Sequence, residues 1–210
     1  MRNLLLFIPL FAMMGACNQH SGQSGNSDTT AVAKDSAGST AAVSTPSPEV
    51  LIIPGKQIGM TVIHANADSL IKILGKPDFS DAAMGTYFNS WYKRHTDGIY
   101  QTSIYSQRNM GGPDEAITHV KSVYVSSPAF KTSERLGAGS AASVLKEHFT
   151  LQRGGVYSNA KDSLVMYDDI PHGISFEINK EDKCSGVLVY AAGDTAAARL
   201  PVHQDMKYQQ

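Results

Sequence analysis

The sequence predicts an α+β fold in which a short helix followed by a three-stranded antiparallel meander occurs twice. Three observations predict it. Two stretches carry helix start and stop signals, each is followed by segments patterned like strands, and residues 142–146 repeat the order of residue character in residues 68–72. In the first stretch Asn66 or Asp68 can cap a helix running to Leu74, with Leu70, Ile73 and Leu74 on one face at i, i+3, i+4 spacing. Gly75 suits the left-handed position just after a helix, and Pro77 prevents continuation. In the second stretch Ser140 can cap residues 141–149, where Leu145, His148 and Phe149 repeat the spacing. Each helix has only about two turns, too few to persist alone, so both must dock on a sheet.

Strand patterning follows each helix. Residues 87–92, 98–106 and 117–126 come after the first, broken by turn-forming residues at 95–98 and 109–114; residues 163–168, 173–179 and 185–191 come after the second. Residues 174–178 alternate, which places Ile174, Phe176 and Ile178 toward a core and Ser175 and Glu177 toward water. The folded body is thus expected over residues 50–191, with repeat one at about 56–126, repeat two at about 132–191, and a C-terminal tail at 192–210.

The N-terminus has a different character. Met1-Arg2-Asn3 precedes an apolar run at residues 4–14 and then Gly15-Ala16-Cys17, the pattern of a secretory signal over residues 1–16. Eleven residues of helix rise roughly 16 Å, about half of a hydrocarbon core, so this run does not span a bilayer. The Gly-Ala-Cys ending resembles a bacterial lipobox, with Met14 where that family usually places Leu; the resemblance implies that Cys17 becomes a lipid-bearing N-terminus. Asn18 in place of an inner-membrane retention aspartate implies the outer membrane, facing the periplasm or the outside. Residues 17–49 hold no aromatic side chain and are rich in Ser, Thr, Ala and Gly, a composition that buries too little to fold. As a flexible tether the 32 residues after Cys17 reach roughly 30 Å. With Cys17 acylated, Cys184 has no disulfide partner and reads as a buried, inert thiol.

Composition excludes some classes. Of 210 residues 42% are hydrophobic and 18% charged, with a net charge of −1, which is unlike a basic nucleic-acid binder or a highly charged disordered chain. Removal of residues 1–16 takes away Arg2 and no acid, shifting that charge by a single unit.

Ile58-Gly59-Met60-Thr61, Leu74-Gly75-Lys76-Pro77, Ser80-Asp81, Gly85 and Trp91-Tyr92 together resemble the SmpA/BamE-type outer-membrane lipoproteins and, through the tandem arrangement, the beta-lactamase-inhibitor-protein-like (BLIP-like) fold. The extra residues 62–65 before the helix, and the missing Leu-Gly-x-Pro in the second unit, depart from the family pattern. The resemblance implies helices on antiparallel sheet and a non-catalytic, protein-contacting role.

Motifs for chemistry are sparse. The seven histidines include no pair at metal-ligand spacing of three or four, and there is no Cys-x-x-Cys, so neither a metal nor a cofactor is expected. His148 reads as a core histidine, His172 as a turn residue, and Asp168-Asp169 as a solvated turn. The loose Gly-x-Gly-x-x-Ala at 137–142 lacks the preceding buried strand that dinucleotide binding needs, and is read as permissive glycines before a helix cap. The expectation is therefore a non-enzymatic envelope lipoprotein, held to the membrane by lipid, that binds an envelope protein through an open sheet face bearing Tyr87, Trp91, Ser175 and Glu177. The alternative is an envelope hydrolase or small-ligand protein built on dispersed His172, Asp168 and Ser140.

Overall fold

The computed structural model describes residues 46–95 and 98–210, all within one compact unit, Val43–Gln210. The signal, Cys17 and nearly all of the tether lie outside the described residues. Two α-helices are present among them, α1 (Ala67–Leu74) and α2 (Ala142–His148), and strands dominate. Three two-residue strands, β1 (Ile52–Ile53), β2 (Gln57–Ile58) and β3 (Thr61–Val62), form a small sheet. The rest build one nine-stranded antiparallel sheet: β4 (Phe79–Ala83), β5 (Thr86–His95), β6 (Gly98–Arg108), β7 (Thr118–Val125), β8 (Gln152–Ser158), β9 (Ser163–Asp169), β10 (Ile174–Ile178), β11 (Cys184–Tyr190) and β12 (Lys207–Gln209). Their order is β12-β8-β9-β10-β11-β7-β6-β5-β4.

This overturns the expected tandem α+β fold of three-stranded units. The molecule is mostly β, and its strands belong to a single continuous sheet joined at its middle by β7 and β11, Val187 opposite Val125 and Val189 opposite Val123. The sequence reading missed β4 and β8 because neither has an apolar alternation; β8 carries Gly154 and Gly155, and a Cβ on Gly155 would lie 2.3 Å from the Tyr208 ring. Residues 192–210 are no tail, since they supply β12, a 3-10 turn at Ala197–Arg199 and buried Ala197, Ala198 and Val202.

Local signals explain the ends of elements. Asn66 caps α1, its side chain accepting from Asp68 N–H at 2.9 Å, and Gly75 ends it at φ 81°. Met84 and Gly85, both at positive φ, make the tight turn of the β4–β5 hairpin. Ser140 does not cap α2; Ala141 holds that position, and the Ser140 hydroxyl accepts from Gly137 N–H at 3.1 Å. The helix start is fixed instead by Ala142 N–H on the Asp182 carbonyl at 2.8 Å.

One face of the sheet is apolar and carries both helices. Ile104, Val120, Val187, Ile174 and Phe176 meet Leu70 of α1 and Leu145 of α2, each buried leucine contributing about 1.5–3 kcal/mol. The apolar stripe on α1 does not all face inward, for Ile73 is 61% and Leu74 41% exposed. His148 is exposed too, while Phe149 after it sets its ring 4.9 Å from Phe176.

The second face is also buried. Cross-strand partners run in one row from Ser90 through Ser103, Tyr124, Leu188 and Ser175 to Asp168, and all six are buried. Residues 194–206 lie over this face: Gln101 and Ser103 donate to the Val202 carbonyl, and the Tyr157 hydroxyl donates to the Leu200 carbonyl at 3.1 Å. Gly186 is required here, because a Cβ would fall 2.2 Å from the Tyr124 hydroxyl that crosses it.

Candidate functional site

The four residues expected on an open face divide between two faces that differ. Ser175 is 0% and Glu177 1% exposed, beneath the C-terminal segment, so neither meets solvent or a partner. Tyr87 and Trp91 lie on the opposite, helix-bearing side, paired with Ser106 and Thr102. Alternation was read correctly for Ile174, Phe176 and Ile178; the error lay in assigning the polar set to water when a polar cluster buries it.

Glu177 is the centre of that cluster. Its carboxylate accepts from the Tyr124 hydroxyl at 2.9 Å, from the Ser185 hydroxyl at 2.6 Å, and from His203 Nε2 of the covering segment. Burial, reinforced by the Glu177 charge, holds the Tyr124 phenol well above its usual range. Burial likewise pushes the Cys184 thiol up to about 12, which keeps it protonated and inert. Asp168 and Asp169 are buried rather than solvated. Asp169 accepts from Thr150 N–H at 3.0 Å and faces His172 Nδ1 at 2.8 Å, and Asp168 lies 3.8 Å from Arg199 and is pushed up by burial. Asp169 is spent on closing the fold, whereas Asp168 Oδ1 and Arg199 Nη1 are buried without a hydrogen-bond partner among the described residues.

Trp91 sits in a groove. Its ring packs against the helix-side core and its Nε1–H donates to the Gly75 carbonyl at 3.0 Å, so the helix-ending Leu-Gly-Lys-Pro segment is fixed by the tryptophan. Asp78 accepts from Tyr92 N–H at 2.7 Å and holds the next turn of chain against β5. The result is a groove of about 430 Å³ lined by Leu74, Trp91, Tyr92, His95, Tyr100 and Phe130, with the His95 and Tyr100 rings 4.8 Å apart. Exposed Leu74 supplies its apolar rim, and exposed Lys93 lines it together with Asp78.

A second concavity was not foreseen. His64, Arg108, His119 and Lys121 line a polar cleft of about 730 Å³. Both ring nitrogens of His119 face acceptors, Nδ1 the His64 carbonyl at 3.0 Å and Nε2 the Asp114 carboxylate at 2.8 Å. Only the doubly protonated ring donates to both, so the His64 carbonyl first, and then Asp114, raises the His119 pKa. Asp114 is lowered by hydrogen bonds from Asn109 and then His119. The spacing of Asp114 and His119 across a turn was visible in the sequence, but nothing there showed that the loop folds back.

Ser140, Asp168 and His172 do not form a catalytic group. Ser140 serves the loop before α2, Asp168 lies under Arg199, and exposed His172 borders a different hollow with Pro54 and Phe149. Among the described residues no three His, Cys, Asp or Glu side chains are grouped to hold a metal ion, and no helix is long and apolar enough to cross a membrane.

No family model matches the chain, and no curated protein matches it. Among solved structures it is similar to a cysteine-rich secretory protein from Staphylococcus aureus subsp. aureus Mu50, at 12% identity and a TM-score of 0.42 over 76% of this chain. This chain spans 56% of that protein, and a likeness at this level carries no argument about fold or function.

Proposed function

We propose that the chain is a non-catalytic bacterial outer-membrane lipoprotein, anchored through Cys17, whose β body captures a protein partner in the groove at Trp91. The observation that carries this reading is the groove itself: an apolar hollow of about 430 Å³ floored by a half-buried tryptophan, with Lys93 at its edge. Aromatic anchors in partly desolvated pockets supply much of the energy of protein recognition. The occupant that fits is an extended partner segment presenting one aliphatic or aromatic side chain, with an acidic residue on the side that meets Lys93. The signal-like residues 1–16 and the resemblance to SmpA/BamE-type lipoproteins support the envelope placement. With Ser175 and Glu177 buried, Trp91 alone of the expected contact residues serves this groove.

A photo-crosslinking side chain at Lys93 in the full-length protein, expressed in its own envelope, identifies the neighbour; the purified neighbour is then titrated against wild type and Leu74→Glu. The reading expects one dominant crosslinked protein and binding weakened about tenfold or more by Leu74→Glu, equivalent to about 1.4 kcal/mol or more. Equal affinity for both chains contradicts it. Separately, Cys17→Ala is expected to release the protein from membranes, and continued firm attachment contradicts the lipid anchor.

A further inference from the structure

The polar cleft at the β6–β7 loop carries an excess of positive charge that no ion pair among the described residues neutralises. Asp114 is the one carboxylate in its lining, and it is already engaged by His119 and Asn109. Arg108 and Lys121 have no carboxylate within ion-pair distance among the described residues. Their placement is built into the backbone. Arg108 closes β6, with its N–H on the Gly85 carbonyl at 2.8 Å and its guanidinium 5.8 Å from the centre of the Tyr87 ring. Lys121 is the extra residue of a β-bulge, since Tyr105 pairs with Ser122 and Ser106 with Val120, leaving Lys121 unopposed. A bulge turns a side chain out of the strand's alternation, and here the lysine lines the cleft. Gln107 adds a neutral amide, and Met110, 62% exposed, offers an apolar contact.

We propose that this cleft binds the phosphate group of a phosphoester, held by the Arg108 guanidinium and the Lys121 ammonium. A guanidinium and a phosphate match as parallel donor and acceptor pairs, and a lysine beside it adds a compact charge. The cleft lies in the size range of sites for small organic molecules, so the phosphate carries an organic body that extends over Met110. The same chemistry is offered by a soluble phosphoester and by the headgroup of an anionic lipid.

Full-length wild type, Arg108→Gln/Lys121→Gln and Gln107→Glu chains are titrated with glycerol phosphate while the His119 ring resonances are followed. Each chain is also sedimented with phosphatidylglycerol and with phosphatidylcholine vesicles. The inference expects saturable His119 shifts, or a phosphatidylglycerol preference, in wild type, and a loss of about tenfold or more in affinity, or of that preference, in the double variant. Gln107→Glu, which leaves both cations in place and adds one negative charge to the cleft, is expected to weaken binding as well. A response to glycerol phosphate alone assigns a soluble ligand, and one to phosphatidylglycerol alone assigns a lipid headgroup. Equal responses from wild type and the double variant, or no response from wild type to either probe, overturns the proposal. The outcome is independent of binding at Trp91.

Discussion

The two faces of the nine-stranded sheet are buried differently, for although each has an apolar cluster, only the second combines it with a row of buried polar side chains. On one, Val, Ile and Phe side chains meet two short helices, an arrangement held mainly by apolar area. On the other, Ser90, Ser103, Tyr124, Ser175 and Glu177 are closed over by residues 194–206, and satisfied hydrogen bonds do much of the work. The contrast teaches that the exposed working surface is set by what each cover leaves uncovered. The helices stop short of the β5–β6 hairpin and leave the Trp91 groove, whereas the C-terminal segment bonds to Ser103, Tyr157 and Glu177 and covers the row of buried polar side chains around them.

The contrast can be broken most severely from the C-terminal side. Deletion of residues 194–210 strips the cover from Tyr124, Tyr157 and Glu177 and is expected to abolish cooperative unfolding, as read by circular dichroism on heating; an unchanged melting curve would mean that the segment is ornamental. Next come the neighbours Phe176 and Glu177, one on each face. Phe176→Ala is expected to cost about 3–5 kcal/mol by leaving a cavity. Glu177→Ala should cost about 3 kcal/mol by stranding His203 and Tyr124 without their shared acceptor. Denaturant titration of each checks this, and a cost below 1 kcal/mol for Glu177→Ala, about the worth of one ordinary hydrogen bond, would show that the polar face is not pinned there.

Legibility in the sequence followed the same division. The helix-bearing face was readable because apolar alternation at Ile174, Phe176 and Ile178 has one physical meaning. Ser175 and Glu177 were misread because a polar side chain satisfied by tyrosine and histidine has the same pattern as one satisfied by water. His203, the partner of Glu177, and the Val202 carbonyl, which accepts from Ser103, lie in a segment without periodicity, whose role depends in part on backbone carbonyls that no residue type announces. Trp91 was identified as an anchor, but the walls of its groove come from Leu74 and Phe130, distant in sequence and joined only by the fold. The polar cleft was missed for a related reason, since the bulge that frees Lys121 exists only once β6 and β7 pair.

The smallest effect is a pH response at the edge of the apolar side. His119, whose pKa is raised in the fold, stabilises the β6–β7 loop fully below its unfolded value of about 6.5 and loses that contribution as pH rises through the folded value. Asp114 works in the opposite sense, contributing above its unfolded value and failing as pH falls through its lowered one. Amide exchange at Ile117, whose N–H bonds to the Asp114 carbonyl, is therefore expected to rise above that of pH 6, beyond the ordinary base-catalysed increase, as His119 deprotonates. His119→Gln should remove this excess, and an identical pH profile in wild type and His119→Gln would mean that His119 does not hold the β6–β7 loop.

The central claim, that the polar row is buried under the C-terminal segment while the Trp91 groove stays accessible, is tested most directly by thiol labelling. Single cysteines at Ser175 and at Lys93 are introduced separately into a full-length Cys17→Ala chain, where buried Cys184 is the only native thiol. The account predicts immediate labelling at position 93 and none at position 175 until denaturant is added; equally fast labelling at both positions under native conditions would contradict it.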